Sequence, residues 1–584
     1  MRRTSVISRL KTLVLATLAC LLLALLAPLF IATRAVDEPF SGYSVLASPR
    51  DLHVVTKPAR LSVTPDLTLS RGVLYADGNA ALGTPISRFV LDGPAFYLNA
   101  SGLETGAGGF ESEVVGSEGA TAPLLDQFMS MGFDTLTIRR GTLYVMTADG
   151  PAETIADIQA EVSGSRKGQL SSKGSFLLRG QRLTFDANLV PPAEKQAAQH
   201  WLSKLTLKGP LIDASFDGTI DVAGDLKISG YAELVTSSLR KIVRWFGVPV
   251  PLSEGLNAVS LKGQLNWARG TVALEKAKVT VDGSEAAGTV AFAYGGEHPA
   301  IDGTLAFNTL ELSPYFEALR SQSYVFDRHT WSWSAFDFSF PILSYFDADL
   351  RLSAASLGFK GNSVGRGAAS IAVRSGKLIA SIVELELPTG TASGRMTADV
   401  KEYPPRYALR GKIDNFEPGP ATAMLTGLPM LSGRSLLQVD LKTAGQTPAE
   451  VLRGLSGKVA IGMAEGGKLG LDVRAIRSGA ETNPSASQLV KSATSIDALE
   501  ARANMVDGLL VAEHVQARAG GLNISASGSA NLLDHTLDLR LLVQPAPPAD
   551  KSLPATEGSA GLSVSGPWAE PVIRRERAAE PVAR

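Results

Sequence analysis

Apolar and polar residues alternate along most of the chain from about residue 40, which is the period-2 pattern of strands with one apolar and one polar face. In one segment, Val259, Leu261, Leu265 and Trp267 fall on one side and polar residues fall between them. Turns that contain glycine separate successive segments. The pattern predicts a mainly β fold built on a long, curved, antiparallel, trough-like sheet, and it disfavours folds that alternate strands with helices.

Helical spacing of apolar residues is sparse. It predicts a few short amphipathic helices, at 194–205, 234–246, 314–320, 448–455 and 486–493. The segment at 234–246 has a basic face and carries a tryptophan. Two roles fit it, as a cover for part of the sheet or as a helix lying on a membrane surface.

A long sheet must cover its apolar face with something. Because helices are few, two arrangements satisfy this pattern. The sheet can fold over on itself as a sandwich with a packed core, or it can curl into a trough with an open apolar lining. An open lining of this kind is an interaction or ligand site.

An almost wholly apolar run from Leu13 to Ala32 follows a basic amino terminus. Its length predicts a single transmembrane anchor over 13–33 with residues 1–12 cytoplasmic. A cleaved signal peptide is the alternative, although its apolar core is usually shorter. The anchor prediction singles out Leu13, Leu22, Leu26 and Ala32.

Charge and cysteine content narrow the function classes. Lys+Arg number 56 and Asp+Glu number 57, so no overall field favours nucleic acid, and none is predicted as a partner. The single cysteine, Cys20, lies in the apolar run, so the β-rich region after this run has no cysteine and no intrachain disulfide.

Several ordered segments of the second half carry a family resemblance. Trp331-Ser-Trp-Ser-Ala-Phe, Leu431-Ser-Gly-Arg-Ser, Gly466-Gly-Lys-Leu-Gly470 and Gly528-Ser-Ala-Asn-Leu-Leu-Asp follow one another, and Val564-Ser-Gly-Pro-Trp-Ala-Glu-Pro-Val572 ends the series. Together they resemble the carboxy-terminal region of the AsmA family over about 331–545, with the last strand reaching about 572. Earlier in the chain the resemblance is only architectural.

The resemblance implies an inner-membrane protein that projects into the periplasm and belongs with bridge-like lipid-transfer proteins. Its expected partners are membrane phospholipid, through the acyl chains, the inner membrane, and an unidentified outer-membrane or envelope protein. The expected organisation after the anchor is an amino-terminal β region (34–322), an aromatic junction (323–346), the AsmA-like region (347–545), and a linker with the last strand and tail (546–584).

On this interpretation the apolar strand faces form a groove that guides phospholipid towards the outer membrane. We predict that ten residues share one face and line this groove. They are Val259, Leu261, Leu265, Trp267, Val279, Val281, Val383, Leu385, Val439 and Leu539.

Catalytic chemistry has little support in the sequence. The six histidines are scattered singly, without metal-ligand spacing, and no phosphate loop or nucleophile elbow is complete. We therefore predict no catalytic residue, metal or cofactor. Two alternatives to a lipid conduit stay open: a non-catalytic scaffold for outer-membrane protein assembly, whose sheet faces would pack together, and a hydrolase with distant paired carboxylates.

Overall fold

Nearly every alternating segment forms a β-strand, which confirms the predicted mainly β fold with few helices. The computed structural model describes residues 44–46, 52–56, 61–62, 67–77, 88–99, 135–147, 150–164, 169–190, 200–221, 227–246, 255–268, 270–293, 298–315, 326–327, 332–333, 340–359, 362–387, 389–419, 431–464, 466–470, 494–545, 559–567 and 572–576. The chain divides into two compact units, 1–308 with 345–350, and 309–344 with 351–584.

The first unit contains the strands up to β15, most of β16 and the start of β19. Their bounds are β1 Ser44–Leu46, β2 Leu52–Thr56, β3 Leu61–Ser62, β4 Leu67–Asp77, β5 Arg88–Asn99, β6 Thr135–Thr147, β7 Gly150–Gly164, β8 Leu170–Leu178, β9 Gln181–Val190, β10 His200–Lys208, β11 Asp213–Asp221, β12 Lys227–Thr236, β13 Val259–Ala268, β14 Thr271–Val281, β15 Ser284–Ala293 and β16 Ala300–Glu311.

The second unit contains the remaining strands. Their bounds are β17 Phe326–Asp327, β18 Ser332–Trp333, β19 Asp347–Phe359, β20 Asn362–Arg374, β21 Lys377–Leu387, β22 Gly390–Asp399, β23 Arg406–Phe416, β24 Leu431–Ser432, β25 Ser435–Ala444, β26 Ser456–Met463, β27 Gly467–Leu469, β28 Thr494–Val506, β29 Leu509–Ala519, β30 Leu522–Asn531, β31 Thr536–Pro545, β32 Ala560–Pro567 and β33 Val572–Glu576.

Strand pairing is antiparallel with one exception among the pairs described. β5 and β6 run parallel, with Leu91 opposite Ile138. A parallel pair needs a long crossover connection, and residues 100–134 supply the length. The predicted antiparallel sheet is therefore confirmed as antiparallel-rich, with this parallel pair as the exception among the pairs described.

Two α-helices are described, α1 at Leu239–Trp245 and α2 at Pro448–Arg453, with a 3₁₀ helix at Pro341–Ser344. Ser238 caps α1 by accepting a hydrogen bond from the backbone N–H of Lys241, and Thr447 caps α2 in the same way.

The helix predicted at 194–205 was wrong in its second half, where β10 begins at His200. Trp201, Ser203, Leu205 and Leu207 are buried in alternation, and this period-2 pattern prevailed over helix propensity. The helix predicted at 486–493 and most of that at 314–320 lie outside the described residues.

A packed core extends along one face of the first unit. Ile155, Val162 and Phe176 are 0% exposed, and the core continues through the aromatic side chains of Trp201 and Phe216. Bulky rings lie over glycines: a Cβ at Gly174 would stand 2.9 Å from the Phe185 ring. This face is therefore closed by its own side chains.

Helix α1 covers one part of that core. Ile242 and Phe246 are buried in it, and the Trp245 Nε1 donates a hydrogen bond to the Arg179 carbonyl at 3.2 Å. The Arg179 guanidinium lies 5.0 Å from the Phe246 ring centroid and pairs with Glu153 at 2.5 Å. Of the two roles predicted for this helix, the structure shows the one in which it covers the sheet.

No helix among the described residues is long and apolar enough to cross a bilayer. The predicted anchor, with Leu13, Leu22, Leu26 and Ala32, lies outside the described residues, as does much of the aromatic segment at 323–346.

Candidate functional site

Seven strands of the second unit pair in succession and align their residues in rows. The order is β21, β22, β23, β25, β26, β28 and β29. Residues directly opposite one another in an antiparallel pair have their side chains on the same face. Three adjacent rows of seven residues each, 21 in all, contain only apolar residues and glycine.

We call these three rows the apolar strip. The first row is Leu385, Ala392, Ile413, Leu437, Ile461, Ala501 and Val515; the middle row is Ile382, Gly394, Gly411, Val439, Val459, Ala503 and Ala512; and the third row is Ala380, Met396, Leu409, Leu441, Gly457, Met505 and Leu510.

The apolar strip is largely uncovered. Among its 21 residues only Met505 is buried, at 5% exposure. Ile382, Met396 and Leu409 are exposed at 41, 43 and 44%, and the others are half-buried. Contiguous exposed apolar surface of this kind marks a place where a ligand or partner binds.

The middle row has two glycines and two alanines among its seven residues. At Gly394 a Cβ would stand 2.7 Å from the Arg410 carbonyl oxygen, so the backbone admits only glycine there. At Gly411 the nearest atoms to a Cβ are 3.5 Å away, so space remains above it. With alanines at 503 and 512, four of the seven positions of this row are low, and Ile382, Val439 and Val459 stand higher among them; we call this row the channel.

The same face is closed beyond the strip. On β29 to β32 a second packed cluster contains Ala519, Leu522, Ile524, Val543 and Leu562. Leu469 of β27 packs against this cluster. The strip is therefore most exposed on β21 to β23, and a packed cluster adjoins it from β29 onwards.

The opposite face of the same strands is polar. Arg395, Arg410, Asp440 and Lys458 occupy one row of it, directly beside the strip residues in sequence. The Arg410 Nη2 donates to the Asp440 Oδ2 at 2.7 Å. The sheet is thus strongly amphipathic, with charges on one side and hydrocarbon on the other.

The six predicted lining residues of the first unit share one face, as their register shows: Val259 stands opposite Val281, and Leu261 opposite Val279. Val259, Trp267 and Val279 are buried, whereas Leu261, Leu265 and Val281 are half-buried. Trp267 belongs to the packed core of that unit, and Leu265 packs against it.

The four predicted residues of the second unit lie in different settings. Leu385 and Val439 belong to the apolar strip, and Leu539 lies on the same face through its pairing with Gly528 and the β29–β30 register. Val383 is the extra residue of a β-bulge, since Ala368 pairs with Glu384 and Ala369 with Ile382, and it is 69% exposed.

The sequence interpretation missed Ile382, Met396 and Leu409, the strip's three exposed residues. A signal for Leu409 was present, because Leu409, Gly411 and Ile413 alternate with Arg410 and Lys412. Gly394 and Gly411 interrupted the apolar pattern, so β22 and β23 were not singled out.

Side chains that could ligate a metal do not cluster in the described part of the chain. It contains no group of three or more His, Cys, Asp or Glu side chains that could hold a metal. Hydrogen bonds from Arg182, at 2.6 Å, and from Gln159 lower the pKa of Asp157 on a surface strand. Burial lowers the pKa of His535, which lies in the β30–β31 turn.

Comparison with known protein families gives one match, which lies almost entirely in the second unit. The model of the AsmA family matches residues 329–514, which confirms the predicted AsmA-like carboxy-terminal region. The apolar strip lies within this match, apart from Val515 at its edge. No curated protein and no solved structure matches the chain. The family match suggests a role in lipid transport or envelope assembly.

Proposed function

We propose that this protein carries or guides phospholipid between the membranes of a bacterial envelope, and that the acyl chains lie on the apolar strip. The observation that carries the proposal is the exposure of Ile382, Met396 and Leu409 at the β21–β23 end of an unbroken apolar surface. A folded protein rarely leaves such a surface open unless a partner covers it.

The dimensions of the middle row suit an acyl chain. Six strand-to-strand steps separate Ile382 from Ala512. At about 4.8 Å a step the row is roughly 29 Å long. One leaflet of a bilayer's hydrocarbon core is about 15 Å thick, so the row exceeds the depth that one lipid's chains occupy.

The strip offers an acyl chain no polar group to desolvate. Its side chains present only hydrocarbon and the Met396 and Met505 thioethers, while the charged residues of the same strands point to the other face. Burial of apolar surface contributes about 25 cal/mol per Å², without directional preference. A surface of this kind holds a chain and lets it slide, and the headgroup stays in water.

In this proposal the protein is anchored in the inner membrane through residues 13–33 and its bulk lies in the periplasm. The basic residues before the apolar run support this orientation. The family match supports association with an envelope membrane.

A substitution that fills the channel tests the proposal. Gly411→Leu adds a side chain above a position whose nearest neighbours are 3.5 Å away, so the sheet should still fold. We expect transfer of a phospholipid with a fluorescent acyl chain between vesicles to fall several-fold, because the added leucine lies across the path of the chain.

Lys458→Leu is the matched control, since it places a leucine on the polar face of a nearby strand. It should transfer lipid at the normal rate. Circular dichroism and the thermal midpoint would establish that both variants fold. Equal transfer by Gly411→Leu and the unmodified protein would refute the proposal.

The scaffold alternative would require the strip to be covered by protein. In that case the unmodified, purified protein would take up no lipid. Gly411→Leu would instead weaken the binding of an envelope protein partner. The exposure of the strip favours the lipid function.

A further inference from the structure

A second candidate site lies on the polar face of the same sheet, separate from the apolar strip. A concave region of about 940 Å³ extends over β25, β26, β28, β29, β30 and β31. This volume is within the range of small-molecule sites, and polar and apolar residues contribute about equally to its lining. We call it the polar groove.

Small residues form the floor of the polar groove and long polar side chains form its sides. Ala460, Gly462 and Ala498 lie in the middle. Gly462 stands opposite Glu500, and a Cβ there would meet only the Leu499 carbonyl oxygen, 4.0 Å away, so the space above the floor is open. Residues on the neighbouring strands enclose this floor, chiefly Gln438, Glu500, Arg502, Gln516, Arg518 and Asn523.

The charge of the groove favours an anion. Glu500 and Arg502 pair with each other. Arg518 forms no ion pair within the described residues, so the three charges leave one positive charge in the groove. A guanidinium binds carboxylate or phosphate through two parallel hydrogen bonds.

A hydrogen-bond acceptor beside Arg518 indicates which other group the anionic ligand carries. Asn523 stands directly opposite Arg518 across β29 and β30. Its side-chain Oδ1 is buried and accepts no hydrogen bond within the described part of the chain. A buried acceptor without a donor is costly, and a turn of the Asn523 side chain, which lines the groove, would let its oxygen accept from a ligand hydroxyl beside the anion.

We infer that the polar groove binds an anionic saccharide, with its phosphate or carboxylate on Arg518 and a hydroxyl donating to Asn523. The amide groups of Gln438 and Gln516 can both donate to and accept from further hydroxyls. This site is independent of the proposed lipid path, because it lies on the other face of the sheet.

Isothermal titration calorimetry of the whole chain tests the inference with three probes: glucose 6-phosphate, a galacturonic acid tetrasaccharide and uncharged maltotetraose. We expect binding of at least one anionic probe and much weaker binding of maltotetraose. Which of the two anionic probes binds distinguishes a phosphate from a carboxylate ligand. Binding of neither, or equal binding of maltotetraose, would overturn the inference.

Two variants locate the site. Arg518→Gln should weaken the binding of the anionic probe about tenfold or more, because it removes a charge-assisted hydrogen bond. Gly462→Val should block the floor and cause a similar loss. Arg540→Gln is the control: it removes the same charge from an exposed position on the same face outside the groove. An equal loss with Arg540→Gln, or none with Arg518→Gln, would show that the groove is not the site.

Discussion

The core of the first unit and the apolar strip of the second unit arise from the same sequence pattern, yet one is closed and the other is open. Both are rows of alternating apolar residues on one face of paired strands. In the first unit Ile155 and Phe176 are 0% exposed, whereas Met396 and Leu409 of the strip are more than 40% exposed.

The difference in exposure between the two regions arises from the size of the side chains and from the presence of a covering helix. The first unit places aromatic rings such as Phe176, Phe185 and Trp201 on its inner face and adds helix α1. The strip has no aromatic residue and several glycines and alanines, and none of its residues belongs to a packed core cluster. The number of apolar positions therefore does not determine closure; their volume and a covering element do.

The largest expected effect comes from truncating one residue in each region. Phe176→Ala should lower the free energy of unfolding by about 3–5 kcal/mol, because it leaves a cavity in a packed core. Leu409→Ala should lower it by under about 1 kcal/mol, since much of this side chain is already in water. Urea unfolding of both variants measures the two changes.

Similar costs at the two positions would contradict the comparison. A large cost for Leu409→Ala in particular would mean that the strip is a packed core, as the scaffold alternative requires.

The ion pair that holds α1 over the first core gives a smaller effect. Arg179→Met leaves the Glu153 carboxylate, 8% exposed, without its partner, and should cost about 1–3 kcal/mol. Lys173→Met removes a cation from the more exposed pair with Asp186 and should cost under about 1 kcal/mol. Thermal unfolding of the two variants measures both changes. Equal decreases of the thermal midpoint would show that the Arg179–Glu153 pair does not hold α1 over the core.

The smallest effect concerns the turn at the packed end of the second unit. Burial lowers the pKa of His535, so the unfolded chain binds a proton more readily than the folded one. His535 therefore contributes stability above the unfolded value of about 6.5 that is lost as the pH falls through the lower folded-state pKa.

His535→Asn should reduce the loss of stability between pH 7.5 and pH 5, and asparagine tolerates the positive φ of 54° at this position. Urea unfolding at the two pH values measures it. An unchanged pH dependence in the variant would show that His535 is not the group responsible.

Much of the fold was predictable from the sequence, because period-2 alternation determines strands wherever one face is apolar. Leu385, Val439 and Leu539 lie on one face of the second unit's strands for this reason, whereas their contact with acyl chains stays a prediction. The parallel β5–β6 pair was not predictable, since it depends on a long connection rather than on local pattern.

Exposure could not be predicted either. Val259 and Val439 have the same local pattern, but Val259 is buried and Val439 is half-buried. Whether a strand face is covered depends on residues distant in sequence, such as Phe246 on α1. The pattern also did not reveal the β-bulge on β21, which shifts the register by one residue and moves Val383 out of the aligned rows.

Site-specific photocrosslinking at Leu409 and Arg410 tests directly whether phospholipid lies on the apolar strip. These neighbours on β23 point to opposite faces, Leu409 to the apolar strip and Arg410 to the polar side. If acyl chains lie on the apolar strip, a photoreactive residue at 409 will form adducts with phospholipid in cells, detected by mass spectrometry, and one at 410 will form few or none. Equal yields at the two positions, or no lipid adduct at 409, would contradict this placement of the acyl chains.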